Sequence, residues 1–467
     1  MITVIRPETL ALDIGSTGVR AARFDGRGLQ RGPAVERRHR GAATGRVDAE
    51  ALLSIVVEAV DRLDLRRIGA VAVSALWHSA VPLDAEGRPL AEAVTWETPM
   101  PPWVRDRVEA AADAWSREAA GAYLHSSYAS AAFPFLCDER VARIADLGSW
   151  IAERLSGRRL GWSETVAAAS GLWLQDRRTW NRPLFDALGI PDRLVPEVWA
   201  EPVTGTGTPV PGLAGAVWLP VAGDGLCHNL GHAAVGPETL AATVGTSGGV
   251  RAVLPDPAGP LDAAGLWHYR CAERLHAVGG AVSSAGNALE WARRFTGLPF
   301  DWARYRGEAR APELHVDPAV YGRRGPDYPW DATGAITGLR PSSTLADVRD
   351  AFALDIWRTF REHLDAIRGL LGPPAAVRTA GGVVGGDRDA VQMLADALDT
   401  GVQRVDLRQP SLAGAGVLGA QFLRDGRHDP LAAATDVRRG ALGGCDVTEV
   451  VEPRPDWAEL LRTRWSR

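Results

Sequence analysis

The sequence contains no lysine, so all 52 of its basic residues are arginine. The P-loop signature GxxxxGK[ST] and the protein-kinase nucleotide site each set a lysine on the phosphates, and both are excluded. Schiff-base chemistry, which needs a lysine amine, is excluded as well. If the chain handles nucleotide phosphates, glycine turns, hydroxyls, metal and arginine must do it. The arginine bias also fits GC-rich coding, as does the wealth of alanine and glycine. Cysteine is scarce: Cys137, Cys227, Cys271 and Cys445 show no CxxC spacing, which is the usage of a cytosolic protein with free thiols. No apolar run approaches a membrane span. The N-terminal MITVIRPETLALDIG lacks the long apolar stretch and cleavage site of a signal peptide, so the expected location is cytoplasmic. A net charge of −5 and a pI near 6.1 give no footprint for nucleic acid or an anionic membrane. The 467 residues, 46% hydrophobic and 23% charged, are those of a globular protein of two or more domains.

The chain is organised around residues 221–250, VAGDGLCHNLGHAAVGPETLAATVGTSGGV. One apolar run ends in Gly223-Asp224-Gly225; a second, Leu240 to Val244, breaks at Gly245-Thr246-Ser247-Gly248-Gly249. An acid between two glycines at a strand mouth reads as an exposed carboxylate on backbone that can bend sharply. A Gly-Thr-Ser-Gly turn offers bare N–H groups and two hydroxyls, which suit phosphate oxygens. A base and a phosphate cradle so close together point to phosphoryl transfer to an alcohol.

Leu10 to Asp25 predicts a hairpin around Gly15-Ser16-Thr17-Gly18. Its small residues let backbone approach a phosphate, and Asp13 at the strand end can hold magnesium through water. The turn at 245–249 repeats the device, so two such hairpins could clamp one nucleotide from two domains. Asp48 is expected to cap a helix with Leu53, Val56, Val57 and Val60 on one stripe. Ile68 to Ala75 reads as a buried strand that runs into Trp77-His78. There an indole could cover the C–H face of a polyol while an imidazole meets its hydroxyls; a core tryptophan with a satisfied histidine is an equal alternative. Residues 103–119 and 138–155 have helical patterning, 121–136 no clear period, and 297–333 the composition of a loop or insertion. Phe352, Ile356, Phe360, Leu364 and Ile367 mark a long amphipathic helix. A strand (Ala376 to Thr379), a glycine turn and a helix follow, an arrangement by which α/β proteins receive a nucleotide. The segments Val402–Leu407 and Leu412–Leu423 are expected to close the second half.

Taken in order, these segments resemble the FGGY carbohydrate kinases of the actin-like ATPase superfamily. Residues 12–20 are similar to the family's first phosphate hairpin, 223–231 to its catalytic-base segment, 243–249 to its second phosphate hairpin, and 280–291, with Asn287 and Glu290-Trp291, to the start of a second-domain helix. Ala380-Gly381-Gly382 stands where the family holds adenosine. The resemblance implies an α/β fold of two actin-like (ribonuclease H-like) domains, 1–235 and 236–467, with an inter-domain active-site cleft. It implies ATP and Mg2+ as cofactors and a small sugar or sugar acid as substrate, and it leaves a homodimer open. Asp224 would be the general base and would also touch substrate. Asp13 would position magnesium. Gly15, Ser16, Thr17, Gly245, Thr246 and Ser247 would bind phosphates, and Gly381, Gly382 and Gly385 the adenosine. Trp77-His78-Ser79 is most similar to the gluconate-kinase branch, with Trp77 and His78 on the substrate.

The chain departs from the family at three places, one of them the stretch 121–136, which aligns poorly. The family's Trp-x-Asp-x-Arg substrate segment reads Trp96-Glu97-Thr98-Pro99-Met100, so its Asp and Arg are missing and Glu97 is the candidate substitute. The adenosine loop has Val383-Val384-Gly385-Gly386 in place of a third glycine and a serine. Alternatives to a gluconate kinase are therefore a kinase for a pentulose or polyol, and a nucleotide- or sugar-binding relative with little turnover.

Overall fold

The structure is a computed structural model that describes residues 7–39, 45–380 and 382–466. The described residues build two seven-stranded sheets. The first begins with β1 (Glu8–Ile14), β2 (Gly18–Phe24) and β3 (Gln30–Arg38), an antiparallel meander. Helix α1 (Ala49–Val60) follows, capped by the Asp48 carboxylate accepting the Ala51 N–H at 3.0 Å. Its buried face is Leu52, Val56, Ala59 and Val60, so the expected stripe is rotated and leaves Leu53 and Val57 half-buried. β4 (Ile68–Ala75) then inserts parallel to β1 along its whole length. β5 (Val203–Thr204) pairs antiparallel with β6 (Val217–Trp218), while β6 and β7 (Ala222–Gly223) both pair parallel to β4.

The second sheet repeats this plan. β8 (Thr239–Val244) and β9 (Gly248–Pro255) form a hairpin, and β10 (Trp267–Ala272) and β11 (Leu275–Val282) extend it on the β9 side. β12 (Ala376–Ala380) lies parallel to β8, β13 (Val402–Val405) parallel to β12, and β14 (Val447–Val451) closes the edge. Each sheet therefore has a hairpin whose first strand is flanked by a later parallel strand. That shared topology is why the Gly-Ser/Thr turn recurs. The helices include α2 (Asp224–Gly231), α3 (Gly286–Thr296), α4 (Leu345–Leu371), α5 (Arg388–Leu398) and α6 (Pro410–Asp425).

Three sequence expectations change here. Residues 121–136 contain a helix, Ala129–Leu136, with Pro134 inside it; it is buried almost all round, so no polar stripe marked it. Residues 138–155 include the strand Arg143–Ala145 before their helix. The helix expected to close the second half, α6, instead packs on the first sheet: Leu412, Ala415, Val417 and Leu418 join the same core as β1, β2 and β4. Its glycines make the approach close. A methyl at Gly414 would strike the Cys227 carbonyl, at Gly416 the Phe24 ring and at Gly419 the Thr9 side chain.

No helix among the described residues is long and apolar enough to cross a membrane, and all four cysteines are free. The packing of α6 yields a prediction. Gly419→Ala should destabilise the fold by about 1–2 kcal/mol through overpacking against Thr9. Gly369→Ala, at an exposed position near the end of α4 with nothing within 4 Å of a new Cβ, should stabilise it by about 0.5–1 kcal/mol from helix propensity alone. Chemical denaturation midpoints check the opposite signs.

Candidate active site

Parallel strands deliver their loops to one edge of a sheet, and the candidate residues collect there. β1 ends at Asp13-Ile14, β4 runs into Leu76-Trp77-His78, and β7 leads into Asp224. Register does the placing. Gly223 pairs with Ala75, so the residue after each strand, Asp224 and Leu76, starts its excursion at the same level. Asp224 is the first residue of α2, half-buried rather than exposed. Its carboxylate accepts the Gly225 N–H at 2.9 Å. The glycines on either side are not there for a sharp bend, since Gly223 has an ordinary extended φ of −65°. They are there for Trp77, whose indole would overlap a methyl at Gly223 or at Gly225. Trp77 is only 6% exposed, and its ring meets Trp267 and Tyr269 of β10 edge-on at 5.4 and 5.2 Å.

Burial raises the Asp224 pKa to about 6, against the pull of the Arg251 cation and with a further push from Asp13. Asp13 is 6% exposed. Its cross-strand partners are Ser74 and Arg20, and they are also its hydrogen-bond donors, Ser74 Oγ at 3.1 Å and Arg20 Nη1 at 3.3 Å. Burial still raises its pKa. Two mutually repelling carboxylates at one sheet edge fit a cation near them. Among the described residues no cluster of three or more His, Cys, Asp or Glu could hold a metal by itself; one or two carboxylates are the kind of donor set that meets a hydrated magnesium ion which also takes phosphate oxygens.

The hairpin turns stand where they were expected. In the first, Gly15 N–H donates to the Gly18 carbonyl at 3.0 Å, and Thr17 is exposed at the tip. In the second, Gly245 N–H donates to the Ser247 carbonyl at 2.9 Å. The start of α3 is tied to it, with the Gly286 N–H on the Gly245 carbonyl and the Asn287 N–H on the Thr246 carbonyl. Ser247 and Asp224 line one cavity of about 100 Å³, together with Trp77, His78, Trp96 and Arg251. Gly382 and Gly385 lie exposed after β12 in a turn whose Val383 N–H donates to the Val244 carbonyl; Gly381 lies outside the described residues.

Of the substrate candidates, His78 sits in the cavity wall, its ring 5.0 Å from that of Tyr128. Burial, with Arg324 adding to it, lowers its pKa to about 3, so it is a neutral imidazole. Its Nδ1 has no hydrogen-bond partner among the described residues. Glu97 is half-buried, its Oε2 has no partner among the described residues, and burial raises its pKa to about 7.

Two functional candidates were not seen in the sequence. Arg251, on β9, donates to Thr243 Oγ1 at 2.5 Å, and burial lowers its pKa to about 10. A lone arginine in the run Val250–Leu254 was the available signal. Arg324 comes from the stretch that read as insertion, where Gly322-Arg323-Arg324-Gly325-Pro326 is indistinguishable from an ordinary turn. It is 8% exposed and lines the same cavity.

Sequence models of the FGGY family of carbohydrate kinases match most of the chain, the N-terminal domain over residues 9–209 and the C-terminal domain over 240–421. Relatives include a glycerol kinase of Koribacter versatilis, 26% identical over 89% of each chain. Another is a gluconokinase of Bacillus subtilis, 23% identical over 92% of this chain and 90% of its own. Similar folds include a gluconate kinase from Lactobacillus acidophilus, with TM-score 0.81, 18% identity and coverage of 98% of this chain and 97% of that one. A xylulose kinase from the same organism gives TM-score 0.78 at 19% identity, with coverage of 98% and 97%. The two-sheet architecture, the order of the matched segments and these relatives agree, and the chain belongs to the FGGY family of carbohydrate kinases.

Proposed function

We propose that this chain phosphorylates a hydroxyl of a sugar acid, with gluconate favoured, using ATP and with Asp224 as general base. The observation that supports it most is the shared cavity: Asp224, the Ser247 hydroxyl and the Trp77–His78 wall face one space. Asp13, at the end of the first hairpin's leading strand, stands within electrostatic reach of Asp224. The domains are 1–235 and 236–467, with the cleft between them and α6 returning to the first sheet.

In this reading the sugar lies against Trp77 and His78 with one hydroxyl toward Asp224. The carboxylate takes that proton as the oxygen attacks the γ-phosphorus, and ADP leaves. A base with a pKa near 6 is charged at neutral pH yet still basic enough to accept the proton. Asp13 would hold magnesium, which would neutralise phosphate charge. The turns at Gly15-Ser16-Thr17 and Gly245-Thr246-Ser247 would meet the phosphates with N–H and hydroxyl donors, and Gly381, Gly382 and Gly385 would border the adenosine. Neutral His78 can accept or donate a hydrogen bond to a sugar hydroxyl. Without lysine, Arg251 is the cation that serves the second hairpin, bound to Thr243 two residues before the turn. The glycerol kinase and xylulose kinase relatives support a second reading, a neutral polyol or pentulose as substrate.

ADP release with gluconate, xylulose, ribulose, glycerol and glucitol separates the readings, and gluconate should give the highest kcat/KM. Absence of turnover on every compound would count heavily against the kinase reading and favour a binding relative. Asp224→Asn should lower kcat at least ~100-fold while the KM for ATP changes little; a variant with near-normal kcat would remove Asp224 from the chemistry. The pH dependence follows from the raised pKa. An acid must be deprotonated to act as base, so kcat/KM should fall on the acid side of about pH 6. Arg251 holds Asp224 down, so Arg251→Met should move that limb to higher pH. An unmoved limb would mean that another group titrates.

A further inference from the structure

The cavity carries one more positive charge than its own residues answer. Its wall holds two guanidinium groups, Arg251 and Arg324, and one carboxylate, Asp224. Arg251 is engaged by Thr243 and shares its field with Asp224. Arg324 is different. Its backbone N–H and Nε both donate to the Ser283 hydroxyl, at 3.2 and 3.3 Å. Its guanidinium carbon sits 3.9 Å from the centroid of the Trp96 ring, in cation–π contact. Among the described residues no carboxylate comes within ion-pair distance of it, and its two terminal nitrogens have no hydrogen-bond partner. Around it stand neutral groups: Tyr128, Tyr269, Tyr328 and His78. Glu97 attracts it from farther off. A buried cation left like this is costly unless an anion arrives.

We propose that Arg324, braced on Trp96 and Ser283, is the carboxylate subsite of this cavity, and that it selects open-chain sugar acids over neutral polyols; this rests on the sugar-kinase reading of the Asp224 cavity. The planar guanidinium presents its two free terminal nitrogens as a fork, which matches a carboxylate's two oxygens. The Trp96 face fixes its plane. A neutral polyol would leave the buried charge unmet, and such a site discriminates strongly against a ligand lacking the group it was built to bind. The γ-phosphate is the competing anion. Arg251 is bonded to Thr243 just before the second phosphate hairpin, whereas Arg324 lies on Trp96, next to Glu97. The substrate segment at 96–100 lacks an arginine of its own, and here a guanidinium reaches Trp96 from the other half of the chain.

Calorimetry with D-gluconate and with D-glucitol, which has CH2OH in place of the carboxylate, tests this in wild type, Arg324→Met and Arg324→Lys. ADP binding to each variant reports an intact fold and nucleotide site. The expected result is gluconate bound more tightly than glucitol, at least a ~30-fold loss of gluconate affinity in Arg324→Met, partial recovery in Arg324→Lys, and little change for glucitol or ADP. Equal affinity of wild type for the two compounds overturns the subsite and leaves the kinase reading standing. So do equal losses for both compounds in Arg324→Met, or a loss that falls on ADP. Loss of gluconate binding in Arg324→Met, in a protein that turns over none of the sugars tested, supports the subsite and overturns the kinase reading instead.

Discussion

The contact on which the site depends is the Trp77 indole lying over Gly223 and Gly225. It joins the end of β4 to the start of α2, so the candidate base and the candidate sugar wall are one packed unit. Neither glycine has room for a side chain, and Gly223 at the end of β7 needs no unusual backbone angle. The sequence motif Gly-Asp-Gly is therefore a steric requirement imposed by a single large ring from a distant part of the chain. The same ring's other edge meets Trp267 and Tyr269 of the second half, and those two rings stack on each other at 4.4 Å. The candidate base is thus positioned by a contact that also carries the domain interface, which the Arg117–Asp262 pair and the His268 N–H bond to the Gly121 carbonyl reinforce. A packed wall of this kind holds a carboxylate in place without spending most of its hydrogen-bonding capacity, which leaves it free for a proton.

Much of this was legible in the chain, for identifiable reasons. The hairpin at 10–25 could be read because two strand-like runs flank a glycine turn, the turn at 245–249 because it repeats that device after an apolar run, and β4 because small and apolar residues run without a break. The order of short motifs pointed to the family even at the low identities of its relatives. What escaped were features that depend on distant pairing. The stripe of α6 is rich in glycine and alanine, and its composition does not say which sheet it approaches. Residues 129–136 are apolar on almost every side, so periodicity had nothing to report. Arg324 sits in a stretch of Pro, Gly and charge with the composition of solvent-exposed loop. Only the fold shows that this loop turns inward and lays a guanidinium on Trp96.

The absence of lysine shapes the electrostatics as well as the exclusions. Arginine holds its charge under burial better than lysine does, and this protein buries several. Burial brings the Arg251 pKa down only to about 10, which leaves it cationic at any pH where the enzyme would work. The carboxylates behave otherwise: Asp224 is raised to about 6 and Glu97 to about 7. The cavity thus pairs cations that do not titrate near neutrality with one acid that does, Asp224, and Glu97 titrates just outside its wall. Its net charge becomes more negative as pH rises through that range, and a bound sugar carboxylate would have to compete with that rise.

The repeated plan of the two sheets makes their differences informative. Asp13 stands two residues before Gly15 on β1, and Thr243 stands two residues before Gly245 on β8. Each is gripped from a neighbouring strand by an arginine, Arg20 on Asp13 and Arg251 on Thr243. In the first half the gripped group is a carboxylate shared with Ser74. In the second it is a hydroxyl that also meets His228 Nε2 at 2.9 Å, and His228, buried beside Arg251, is kept neutral. The same backbone device thus carries negative charge on one side and none on the other. A second carboxylate at 243 would stand in the field of Arg251 and draw it away from Asp224, whose pKa would then climb. Thr243 accepts the Arg251 hydrogen bond without cancelling its charge, and so leaves that cation free to keep Asp224 ionised.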